Sequence, residues 1–143
     1  MKDKKELLDG IKHVIMPRFH LNDEQFYDVF DSAVLTNIKP GIKLFTEGKH
    51  NDNIFFIADG IADIYKEGQH LNIVERGDIL GEMSLVGVDK STATVIAKTD
   101  MVLFKFNKIK FDILLNRYPL MNKAVVMETI SRKIQQYEAN RKD

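Results

Sequence analysis

At 143 residues the chain has the length of one domain large enough to bury a core. Its 21 Lys and Arg balance 21 Asp and Glu, so it lacks the basic excess of a direct nucleic-acid partner, and without cysteine it holds no disulfide, thiolate nucleophile or Cys-based zinc site. No apolar run suits export or membrane insertion, and the expectation is a cytoplasmic protein.

Leu7, Leu8, Ile11, Val14 and Ile15 recur at spacings of three and four, which predicts an amphipathic helix over roughly 4–15, ended by Pro17. Asn22 is placed to cap a second helix, with Gln25 three residues on completing a capping box and Phe26, Val29, Phe30 and Ala33 forming the buried face. These helices, residues 1–33, are expected to cover the end of a sheet.

From Val34 to Phe106 short strands alternate with glycine turns at Pro40-Gly41, Gly48, Gly60, Gly68 and Gly77. Strands are predicted over 42–45, 54–58, 61–65, 71–75, 92–97 and 101–106. In the last, Val102, Phe104 and Phe106 share one face and Leu103 and Lys105 the other. Strands at this spacing, without long helices between them, predict a mainly β fold with flanking helices: an antiparallel β-barrel or jelly roll over 34–106.

Helix returns in residues 107–143. Asn107 caps a short helix carrying Phe111, Ile113, Leu114 and Leu115, and Tyr118-Pro119 breaks it. Leu120, Ala124, Met127, Ile130, Ile134 and Tyr137 then mark a final helix of about five turns, its stripe either packed on the barrel or paired with a second copy. The whole chain, 1–143, reads as a single domain.

One stretch stands apart. Gly77-Asp78-Ile79-Leu80-Gly81-Glu82-Met83-Ser84-Leu85 places an acid and a short apolar run between glycines, a turn that leaves backbone N–H groups free to hold a phosphate. Leu80-Gly81-Glu82-Met83-Ser84-Leu85, followed by Ser91-Thr92-Ala93-Thr94-Val95, resembles the phosphate-binding cassette of the cyclic nucleotide-binding domain family, Phe-Gly-Glu-x-Ala-Leu followed by Arg-x-Ala-Thr-Val. Pro40-Gly41, Phe45, Gly48, the 54–60 strand and Gly60, Gly77-Asp78, Phe104 and Phe111 extend the resemblance over roughly 34–115.

The resemblance implies a non-catalytic sensory domain for cyclic AMP or cyclic GMP, with no other cofactor and an unidentified downstream protein. It implies that Gly81 and Glu82 belong to the site, that Glu82 accepts the ribose 2′-hydroxyl, and that the N–H groups of Met83, Ser84 and Leu85 cradle the phosphate. The family's arginine falls on Ser91, whose neutral hydroxyl lacks the guanidinium's charge and fork. The reading is therefore of weak binding, with Lys90 as a charged and Thr92 as a neutral hydroxyl substitute for the missing arginine and Ala93 beside them as a strand residue. Glu82 has a plainer reading as an acceptor of local backbone N–H bonds. The domain also has a plainer one, as a ligand-independent interaction or dimerisation module using the final helix. His13, His20, His50 and His70 occur singly, without the spacing of a metal enzyme.

Overall fold

A computed structural model describes residues 2–82 and 90–141. Helices α1 (Lys4–Arg18) and α2 (Asp23–Asp31) precede strands β1 (Val34–Ile38), β2 (Lys43–Phe45), β3 (Asn53–Asp59), β4 (Ala62–Lys66), β5 (Gln69–Val74), β6 (Ile79–Leu80), β7 (Thr94–Ala97) and β8 (Met101–Asn107). Helices α3 (Lys108–Arg117) and α4 (Pro119–Arg141) close the chain. The described strands form two four-stranded sheets in the orders β1-β8-β3-β6 and β2-β7-β4-β5, every pairing antiparallel. This is the expected jelly roll with flanking helices.

Alternation along the central strands builds two apolar layers. In β3, Ile54, Phe56 and Ala58 point to the helices, while Phe55 and Ile57 point to the opposite sheet; β8 divides Phe104 and Phe106 from Met101 and Leu103 in the same way. The central strands β3 and β8 of the first sheet are thus covered on both faces. Phe30 of α2 stacks edge-on against Phe56, Phe104 and Phe106 with ring centroids 5.2, 5.5 and 5.4 Å away, fixing the N-terminal helices on that sheet.

The capping box closes as expected: the Asn22 N–H donates to Gln25 Oε1 at 2.9 Å and the Gln25 N–H to Asn22 Oδ1 at 2.8 Å. Pro17, in contrast, does not end α1. Its ring fits the last helical turn, which runs to Arg18 and is closed by the Phe19 N–H on the Ile15 carbonyl at 2.9 Å. Strand β7 begins at Thr94, two residues later than expected, because residues 91–93 bend against the 48–50 loop.

Helix α4 spans 23 residues and starts at Pro119, whose fixed φ suits a first helical position. Met121, Val125 and Thr129 face inward, whereas Leu120, Met127, Ile130, Ile134 and Tyr137 are 47–62% exposed. The apolar stripe of the last helix points away from the barrel. Among the described residues, no helix is long and apolar enough to cross a membrane.

Candidate functional site

Strand β6 delivers the site. Leu80 and Ile79 pair with Phe55 and Phe56, and the chain then turns at Gly81 with φ +85°. A Cβ there would lie 2.4 Å from the Asn53 carbonyl oxygen and 2.9 Å from Asn51 Nδ2, so the turn admits only glycine. Asn51 braces it, donating from Nδ2 to the Asn53 carbonyl at 2.8 Å and accepting from the Asn53 N–H at 3.1 Å.

The turn drives Glu82 into the protein, where it is 2% exposed. Desolvation pushes its carboxyl above the ordinary carboxylate range, partly offset by Arg132 of α4. Arg132 Nη1 lies 3.3 Å from Glu82 Oε1, with side-chain exposures of 15% and 2%. The contact is ionic only: among the described residues Oε1 accepts no well-directed hydrogen bond. A buried carboxylate oxygen in that condition has acceptor capacity for a hydroxyl donor.

Opposite Glu82, residues 90–93 form the other wall. Lys90 bridges His50, the Ser91 N–H donates to the Lys49 carbonyl at 2.7 Å, and the Gly48 N–H donates to the Ser91 carbonyl at 2.8 Å. Lys66 donates to the Thr92 carbonyl at 2.9 Å, and the Thr94 hydroxyl accepts from the Glu47 N–H at 3.0 Å. Ser91 and Thr92 are half-buried, Ala93 is buried and Lys90 is exposed.

These walls enclose a cavity of about 60 Å³ that opens from the apolar layer between the sheets. Phe45, Ile64, Leu80 and Val95 form its apolar end, while Gly81, Glu82 and residues 90–93 form its polar side. The structure therefore unites Gly81, Glu82, Lys90, Ser91, Thr92 and Ala93 in one cavity. The expected cradle residues Met83, Ser84 and Leu85 lie outside the described residues. Asn51, Arg132 and Gln136 complete the lining.

Sequence reading missed those last two for a physical reason. The apolar residues of α4 do not mark this face: Met121 belongs to the helix core, and Met127, Ile130 and Tyr137 face outward. The barrel-facing line of α4 runs Met121, Val125, Thr129, Arg132, Gln136, at helical spacings of four, four, three and four. Its polar lower half lacks the apolar signal by which buried faces are found.

The cavity is far smaller than the roughly 300–1,000 Å³ of ordinary ligand pockets, and Arg132 and Gln136 occupy its α4 side. Among the described residues no group of three metal-ligating side chains occurs; His50 and His70 instead face Asp52 and Asp63 at 2.7 and 2.9 Å.

A family model described as "Cyclic nucleotide-binding domain" matches residues 35–118. The chain is 24% identical over 137 residues, 96% of its length, to a cAMP-dependent protein kinase type II regulatory subunit of Drosophila melanogaster, covering 33% of that protein. It is 30% identical over 78 residues, 54% of its length, to a cGMP-dependent protein kinase of Plasmodium berghei (strain Anka), covering 9% of that protein. The chain thus spans a third or less of these curated relatives. Among solved structures, the catabolite activator protein of Thermus thermophilus superposes with a TM-score of 0.74 at 22% identity, over 87% of this chain and 61% of the other, a likeness of fold.

Proposed function

Because the chain belongs to the cyclic nucleotide-binding domain family, we propose that it is a non-catalytic regulatory domain whose cavity takes cyclic AMP or cyclic GMP. The observation carrying this reading is Glu82: a buried carboxylate with spare acceptor capacity, aimed into a cavity walled by residues 90–93. Accepting the ribose 2′-hydroxyl would give that oxygen the directed donor it lacks among the described residues. The two kinase relatives, one named for each nucleotide, support the ligand class without choosing between its members. Ser91 presents no positive charge, so binding is weaker than a guanidinium at that position would give, by about ten- to a hundredfold.

Cytoplasmic placement and a downstream protein partner are parts of the same proposal. The test is calorimetric titration of unfolded, stripped and refolded protein with each nucleotide. Saturable binding near one per chain, weakened in Glu82→Ala, supports the reading; no binding of either nucleotide by correctly folded protein sinks it.

A second reading rests on the outward stripe of α4. Leu120, Met127 and Ile134 recur every seven residues, with Ile130 and Tyr137 three after the latter two, a seam suited to a parallel helix of a second copy. On this reading the domain is a ligand-independent interaction or dimerisation module that keeps the barrel and has lost nucleotide binding; a dimer in sedimentation equilibrium together with no heat from either nucleotide would favour it.

A further inference from the structure

We propose that Arg132 is the cation that meets the ligand's phosphate, delivered to the cavity by α4; this rests on the cyclic-nucleotide reading of the same cavity. A cyclic phosphate carries one negative charge, and a site that excludes water must offset it with a cation or directed donors. Ser91 and Thr92 bring neutral hydroxyls, and the Ser91 N–H is already held by the Lys49 carbonyl. Of the described side chains lining the cavity, Lys90 and Arg132 are the cationic ones.

Their settings differ. Lys90 sits at the solvent edge, where a compact ammonium keeps its hydration. Arg132 is held inside, its side chain 15% exposed, 3.3 Å from a carboxylate and without the geometry of a full hydrogen bond. Most of its desolvation has already occurred on folding, and its planar fork of N–H donors fits two phosphate oxygens. Among the described residues Glu82 is its one polar partner.

Ligand binding then exchanges partners within the cavity. Arg132 turns from Glu82 to the phosphate, and the freed Glu82 oxygen accepts the sugar hydroxyl. Both groups stay paired, and the guanidinium leaves the volume that the small cavity lacks.

The experiment uses the full chain, stripped and refolded, with cyclic AMP as probe. Arg132→Gln is expected to weaken binding by about ten- to a hundredfold, and placing the charge on the opposite wall, in Ser91→Arg with Arg132→Gln, to restore it. Because an arginine at 91 adds a phosphate contact of its own, the gain from Ser91→Arg must be larger in the Arg132→Gln chain than in the unaltered one; equal gains in the two backgrounds overturn the inference. Unchanged or tighter binding in Arg132→Gln, or failure of the double variant to recover, overturns the inference. Should Arg132→Gln not fold, the 15Nε resonance of Arg132 in the unaltered chain decides: it must shift with cyclic AMP and stay in place with adenosine, and any other pattern overturns the inference. Absence of all cyclic AMP and cyclic GMP binding by the unaltered chain is a different result, which removes the proposed function and this inference with it.

Discussion

Arg18 of α1 and Glu128 of α4 form an ion pair that joins the first helix to the last. The same guanidinium donates to the Gly77 carbonyl at 3.1 Å and lies 3.4 Å from Asp78, so both helices are tied to the turn just before β6. Glu128 stands one helical turn before Arg132. Besides the burial of Met121 and Val125, two ionic contacts thus fix α4 over the cavity, one outside the pocket and one within it.

Glu128→Gln should loosen α4 without disturbing the barrel. The pair is about a quarter exposed, and its loss is expected to cost about 1 kcal/mol, with faster amide exchange in α4 and unchanged exchange in β3 and β8. Equal exchange in α4 of both proteins would count against the clamp.

Gly81→Ala should damage the site through the backbone. The left-handed φ alone costs about 1–3 kcal/mol, and the added Cβ would meet the Asn53 carbonyl at 2.4 Å. Chemical denaturation should register at least that loss. A variant as stable as the original would mean the turn can be made another way.

Glu82 gives stability a defined pH dependence. Burial raises its carboxyl in the folded chain, so between the ordinary glutamate value and the raised one the folded state holds a proton that the unfolded state has released. This contribution is complete below the ordinary value and is lost as pH rises through the raised one. The stability of the unaltered chain relative to Glu82→Gln should therefore decline with rising pH across that window in paired denaturant titrations. A flat difference would show that Arg132 fully offsets the burial.

The α4 seam predicts self-association. If Met127 and Ile134 pair with a second copy, Met127→Glu with Ile134→Glu should shift sedimentation equilibrium to monomer and leave the helix content intact, since both side chains are exposed in the single chain. A monomer in the unaltered protein, independent of concentration, would exclude this use of the seam.

Much of the fold was legible because local chemistry and tertiary burial agree. Asn22 and Gln25 define a helix start without outside help, and the alternation of Val102, Phe104 and Phe106 already separates the two apolar layers. Strands β1 and β6 were not distinguished. Val34–Ile38 is an edge strand with a mixed, half-exposed pattern, and Ile79–Leu80 has only two residues in which to show a period. The stripe on α4 was visible, but its direction is set by neighbours far away in sequence. Arg132 was hidden for the same reason that gives it a use: it is a charge on an inward face.

The measurement that bears most directly on the whole account is titration of the stripped, refolded chain with cyclic AMP and cyclic GMP, followed by calorimetry and by the amide resonances of residues 90–93. The account predicts saturable, weak binding of at least one nucleotide, near one per chain, with shifts at Ser91, Thr92 and Ala93. A folded chain that gives no heat and no shift with either nucleotide would contradict it.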